Sequence, residues 1–198
     1  MARPKGPRFK QSRRFGVNIF GHPKELKRGV NQTRRPSEYG MQLLEKQKLK
    51  AYYGLSEKQM LRYMKEATKM SAKGEGLTGD LAIRRCEQRL DNMVYRAGFA
   101  SSLRQARQFV VHGHIALNGD KTDIPSHLVK EGDKIGLTPR GAKLELIKDN
   151  IGAGSVSVPY MTRNDEKREA TLDRAPEREE IPIEVTDSLV VEFYSRSV

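Results

Sequence analysis

Cysteine is nearly missing from this chain. Cys86 is the sole thiol in 198 residues, which excludes an internal disulfide and is compatible with a reducing compartment. Long apolar runs are missing as well. No stretch approaches the roughly 18 apolar residues that a membrane span needs, and the first residues lack the apolar segment of a signal peptide. A hydrophobic fraction of 36% supports modest cores only. There is no glycine-rich phosphate loop, nucleophile elbow or pair of carboxylates at catalytic spacing, so neither an enzyme nor a small-molecule substrate is expected. His112 and His114 stand two apart on a turn, with no cysteine or carboxylate to complete a four-ligand set. No metal or other cofactor is therefore expected.

Acids are scarce where bases are dense. Residues 1–35 hold eleven Lys or Arg against the single acid Glu25, an excess of ten positive charges out of a net +12 for the whole chain. With a sequence pI of about 9.9, that balance favours a polyanionic partner. Gly6, Gly16, Gly21 and Gly29 with Pro4, Pro7 and Pro23 interrupt any periodic pattern. Such an arm cannot bury enough surface to offset its ordering entropy alone, and it is expected to order on a polyanion. Arg3, Arg8, Lys10, Arg13, Arg14, Arg34 and Arg35 are its expected phosphate contacts. Phe9, Phe15 and Phe20 are expected to pack on the body rather than stack on bases. The glycines, the prolines and the lack of an amphipathic helix argue against a transit peptide.

From Ser37 to Tyr53 the pattern turns helical, with Leu43, Leu44, Ala51 and Tyr52 as inward candidates and Tyr39, Lys46 and Lys50 as RNA-facing ones. Gly54 stops this helix. Ser56 with Gln59 forms a capping box that opens the next one, which runs to about Met70 with Met60, Leu61, Met64 and Ala67 inward. Its other side carries Lys58, Arg62, Lys65 and Lys69 at i, i+4, i+7 and i+11, an unbroken cationic stripe. With so few acids among them, phosphate contact is a better reading than ion pairing. After a loop at Gly74, Gly76 and Gly79, Asp80 is expected to cap a helix. In it Ile83 and Cys86 continue the apolar stripe of Leu90, while Arg85 faces RNA.

The stretch from Glu87 to Leu137 is read as two short helices and a small antiparallel sheet. Leu90, Met93, Val94 and Ala97 share a helical face that Gly98 ends. Ser102 and Gln105 begin a second helix that Gly113 ends. The period then changes to two, and Asn118-Gly119 between short alternating runs signals a hairpin. Arg89, Arg96, Arg104 and Arg107 are expected on the outside of the helix pair, and His112, His114 and Lys121 near the hairpin. Beyond it, Leu144 to Ile151 reads as a short helix and VSVPY as strand-like. From Asn164 onward ten acids outnumber five bases, which suits a protein contact, with Glu177, Glu179 and Glu180 as interface residues. The final LVVEFYS is expected to dock back as a strand or an anchoring tail.

The runs RLDNMVYRAGF and SSLRQARQFVVHGHIALNG resemble the S-four-type RNA-binding domain. With SEYGMQLLEKQKLKAYYGLSEKQ before them and VVEFYS at the end, the chain as a whole is similar to the bacterial-type small-subunit ribosomal protein S-four family. That resemblance implies an α+β chain: a mostly helical first domain with an inserted domain made of a helix pair plus a small antiparallel sheet. Its expected parts are a basic arm (1–35), a helical domain (36–86 with 176–198) and the inserted segment (87–175). It further implies direct binding to the five-prime domain of the small-subunit ribosomal RNA, early in assembly. Ribosomal proteins three and five would be neighbours, and the messenger entry channel would lie nearby. The protein would influence messenger unwinding and decoding accuracy, in a cytoplasmic ribosome rather than an organellar one. Many family members hold zinc in the arm with four cysteines. None precedes Cys86 here and His22 cannot replace them, so zinc is not carried over. A regulator of its own messenger outside the ribosome is the alternative. Lys69-Met70-Ser71-Ala72-Lys73 also resembles a loop of class I aminoacyl-tRNA synthetases, but no parallel-strand nucleotide domain accompanies it. Pseudouridine synthases share the S-four-type domain but need a catalytic domain larger than the residues left.

Overall fold

A computed structural model describes residues 6–22, 24–27, 29–30, 36–152 and 158–195. The architecture is α+β, and the chain divides into two compact units, Met1–Ala82 with Pro182–Val198 and Ile83–Ile181.

The first unit is helical. Its elements are α1 (Arg8–Phe15), α2 (Glu38–Tyr53), α3 (Glu57–Ser71), the start of α4 (Thr78–Glu87) and, from the other end of the chain, α8 (Asp187–Ser195). The Ser37 hydroxyl caps α2 by accepting from Gly40 N–H at 3.2 Å, and Gly54 closes it in the left-handed region at φ 58°. Ser56 and Gln59 make the reciprocal capping box of α3. Three expectations are corrected here. The arm contains a helix, α1, closed by Gly16 at φ 74°. The final apolar run is also helical: LVVEFYS lies within α8, which packs on α2 and α3. A spacing of four residues, about one helical turn, places Val190 and Tyr194 together on its buried side. On α2, finally, the fully inward residues are Glu45, Lys46, Lys48, Leu49 and Tyr53. Leu43, Leu44, Ala51 and Tyr52 are only half-buried, because covering by α8 decides which face of α2 is interior.

The second unit contains the end of α4, then α5 (Leu90–Arg96), α6 (Leu103–Val111), β1 (Ile115–Leu117), β2 (Asp120–Lys121) and β3 (Lys134–Leu137). Then come α7 (Glu145–Gly152), β4 (Met161–Asn164) and β5 (Glu169–Leu172). Asp80 sits inside the first turn of α4 rather than capping it. The helix does not run on into Leu90. It breaks at Gln88-Arg89, where Arg89 bridges to Leu128, Leu90 N–H donates to His127 O, and Val129 N–H donates to Gln88 O. Asn118 at φ 53° and Gly119 at φ 90° form the tight turn between β1 and β2.

The sheet is larger than the hairpin alone suggested. Its order is β2-β1-β3-β5-β4 with every pair antiparallel. The segment from Asn164 is thus not one protein-facing run. Its first part is sheet, with Ala170 and Leu172 buried and paired to β3 and β4. Strand alternation in Glu169-Ala-Thr-Leu172 is short and masked by the acids around it. Helix α7 covers Glu145–Gly152, and of the strand-like VSVPY run residues 156–157 lie outside the described residues. Leu90, Met93, Phe99, Val110, Ile115, Ile135, Ile147, Tyr160 and Leu172 form the core between helices and sheet. Each such side chain contributes roughly 1.5–3 kcal/mol by leaving water. Gly141 is required by packing: a Cβ there would collide with the backbone carbonyl of His114.

Candidate RNA interface

Helix α3 presents the expected stripe. Met60, Tyr63, Met64 and Ala67 are fully buried, while Lys58, Arg62, Lys65 and Lys69 are all exposed on the opposite side. Eleven residues at 1.5 Å rise extend the stripe over about 16 Å. Glu66 approaches Arg62 loosely, at 3.8 Å. Glu57, the acid in the first turn, is engaged elsewhere. Its carboxylate accepts from Lys46 at 3.1 Å, Lys50 at 2.6 Å and Tyr194 Oη at 2.7 Å. Burial pulls this carboxyl upward, but hydrogen bonds from Lys50, Tyr194 and Lys46 outweigh it and hold its pKa at about 2. The positive face of α3 therefore keeps most of its charge for an external anion.

That arrangement corrects two expected contacts. Lys46 is 7% exposed at its side chain, with its Nζ 4.2 Å from the Phe193 ring centroid, and Lys50 is 16% exposed on the same carboxylate. Both tie α2 to α3, and Lys46 also to α8, rather than facing outward. Tyr39 remains exposed, with its ring 5.8 Å from Phe193. In the arm Arg8, Lys10 and Arg14 are exposed. Arg13 is half-buried and donates from Nε to Gly29 O at 3.2 Å. Phe9 lies against the His22 ring at 4.9 Å, while Phe15 and Phe20 are half-buried. Arg3, Arg34 and Arg35 lie outside the described residues.

In the second unit the arginines divide. Arg104 is exposed on α6. Arg107, one turn later, is 25% exposed and reaches Asp91 Oδ2 with Nε at 2.7 Å and Nη2 at 2.6 Å. Arg89 is buried, its side chain 1% exposed, and grips the same carboxylate with Nε at 3.0 Å and Nη2 at 2.9 Å. Arg96 lies 2.5 Å from Glu87, a fully buried carboxylate that also accepts from Tyr160 Oη at 2.7 Å. Burial, and then the Glu87 charge beside it, raise the Tyr160 phenol above its ordinary range. Arg89 and Arg96 were expected on an outer helical face and are corrected to inward positions. The reason is that Asp91 and Glu87 are interior and need cations beside them. Arg85 is half-buried.

His112 and Lys121 are exposed near the hairpin, and the Lys121 stem crosses Gly113 so closely that a Cβ there would strike it. His114 is buried, with its Nδ1 lacking a hydrogen-bond partner. Burial first, then the nearby charges of Arg140 and His112, lower its pKa and disfavour its charged form. Among the described residues no group of three or more His, Cys, Asp or Glu is placed to hold a metal. Glu177 and Glu179 are exposed, whereas Glu180 pairs with Arg174 and accepts from Glu177 N–H at 3.2 Å within the single turn Arg178–Glu180.

The buried carboxylates Asp91 and Glu87, with the half-exposed Glu57, are the organising residues that sequence reasoning passed over. The available signal was an acid one or two positions from arginines in an otherwise basic stretch, as in Arg89-Leu90-Asp91.

Residues 3–87 match the family described as the ribosomal protein S4/S9 N-terminal domain, and residues 88–135 match the S4 domain. The small ribosomal subunit protein uS4 of Finegoldia magna is 54% identical over 99% of this chain and 100% of its own length. Protein uS4B of Clostridium acetobutylicum is 48% identical over the whole of both chains. Protein uS4 of Halalkalibacterium halodurans is 44% identical over 99% of this chain and 100% of its own. With both family domains in order and full-length relatives at these identities, the chain belongs to the uS4 family of ribosomal proteins, a structural family without enzymatic activity.

Proposed function

We propose that this protein is a structural constituent of the small ribosomal subunit in the cytoplasm. It binds the five-prime domain of the small-subunit ribosomal RNA directly and early, nucleating assembly. The observation that carries this reading is the exposed cationic face of α3, whose first-turn acid, Glu57, is held by Lys46 and Lys50 of α2 and Tyr194 of α8. A-form RNA is recognised through phosphates, 2′-hydroxyls and shape, which suits rigid helices bearing ammonium and guanidinium groups. The basic arm adds contacts, and Arg104, Arg107, His112 and Lys121 add a second set. Exposed Glu177 and Glu179 would be repelled by phosphate and turn toward a protein neighbour, ribosomal protein five, with ribosomal protein three and the messenger entry channel nearby. Decoding accuracy and messenger entry are influenced through these contacts.

Binding of the full chain to a transcript of that RNA domain, measured across salt concentrations, tests the reading. About ten phosphate contacts give a slope of log affinity against log salt of about −7 to −9, and removing residues 1–35 flattens it markedly. A slope near zero for the intact protein overturns the proposal.

A further inference from the structure

The cluster around Asp91 does more than neutralise a buried acid. Five nitrogens converge on one carboxylate that is fully buried: Nε and Nη2 of Arg89, Nε and Nη2 of Arg107, and the backbone N–H of Asn92 at 3.0 Å. Two guanidinium groups share one carboxylate, so the cluster keeps a net charge of +1. Arg89 is sealed in the interior on α5's N-terminal side, while Arg107 on α6 reaches the surface. The cationic end of the cluster lies where Arg107 emerges, beside exposed Arg104 one turn earlier.

We infer that Asp91 is a positioning residue for RNA: it holds the Arg107 guanidinium in one orientation against a backbone phosphate, and buried Arg89 keeps the cluster cationic. The inference rests on the RNA-binding reading above. A long side chain already held by two bonds from Nε and Nη2 loses less rotamer freedom when a phosphate arrives. Arg89 supplies what the pair alone would lack. Without it, the Asp91 charge would cancel Arg107 and repel the ligand.

Simple charge counting and positioning predict opposite signs. Removing the Asp91 charge raises the cluster to +2, which by charge alone tightens binding. Positioning predicts that Asp91→Asn weakens it. Because this change leaves Arg89 without its anion and can impair folding, Arg107→Lys provides an independent arm that keeps the charge and loses the planar fork. All variants are made in the full chain, with a transcript of the five-prime domain of small-subunit ribosomal RNA as the probe, and thermal unfolding is recorded for each.

Arg107→Lys is expected to bind about tenfold more weakly at unchanged salt slope and unchanged melting temperature. Arg107→Ala makes the slope shallower by about 1. Asp91→Asn weakens binding in the parent and adds nothing further in the Arg107→Ala background. Wild-type affinity of Arg107→Lys, or an equal Asp91→Asn penalty in both backgrounds, overturns the inference and leaves Asp91 structural. Failure of positioning alone leaves intact the slope losses from changing the α3 stripe or removing residues 1–35. Failure of the RNA reading abolishes those as well.

Discussion

Helix α3 carries four Lys or Arg, and the α5–α6 pair with the Arg89 cap of α5 carries four as well, yet they use them in opposite ways. On α3 the cations at Lys58, Arg62, Lys65 and Lys69 are all exposed; Glu66 approaches Arg62 only loosely, and the first-turn acid Glu57 is held by Lys46, Lys50 and Tyr194. In the α5–α6 pair, Asp91 and Glu87 are interior, and they draw Arg89 and Arg96 in behind them while Arg107 stays at the margin. The difference teaches that spacing alone does not say whether an arginine is a ligand contact or a structural counter-ion. The location of the nearest carboxylate decides.

The largest expected effect breaks the buried side of this comparison. Asp91→Ala strands two arginines, one of them fully buried, and should lower unfolding free energy in urea by about 3–5 kcal/mol. Lys65→Ala on α3 should stay within about 0.5 kcal/mol of the parent. Equal losses would erase the distinction between the two surfaces.

The exposed side is sharpened by changing Lys58, Arg62, Lys65 and Lys69 together to Gln. Stability should be retained, while the salt slope of RNA binding becomes shallower by about 3 to 4. An unchanged slope would make the stripe a merely solvated face.

A third effect separates the two kinds of carboxylate. The Glu57 pKa is lowered in the folded state from 4.5 to about 2, so its contribution is fully present above pH 4.5 and is lost as pH falls toward about 2. Melting temperatures of the parent and Glu57→Gln should therefore differ most above pH 4.5 and converge at lower pH. A constant gap across that window would mean that the Lys46–Glu57–Lys50 clasp does not act through charge.

The smallest effect on RNA binding is expected at the acidic turn. Glu179→Lys should change RNA affinity by less than about twofold if, as proposed, the acidic turn faces a protein neighbour rather than phosphate. Ribosomes containing it should nevertheless misread a reporter codon at an altered rate. A several-fold shift in affinity with wild-type misreading would reverse the assignment of faces.

Much of this architecture was legible because it is local. Ser37, Ser56 and Ser102 announce helix starts through hydroxyls that accept from nearby N–H groups. Gly54, Gly98 and Gly113 announce ends through positive φ, and Asn118-Gly119 announces its turn. The α3 stripe was legible for a related reason: helical period and exposure coincide there. In each case a few consecutive residues hold the whole physical cause.

What the sequence could not decide depends on partners distant along the chain. Whether Lys46 faces water is settled by α8, some 140 residues later, whose Phe193 and Tyr194 close over it. Whether Arg96 points outward or inward is decided by Glu87 and by Tyr160 from just before β4. The pairing of β5 with β3 decides that an acid-rich stretch is sheet. Periodicity reports which residues share a face. Only tertiary packing determines which face is covered, because burial of a charge is tolerated solely where a counter-charge from elsewhere in the fold has been brought to meet it.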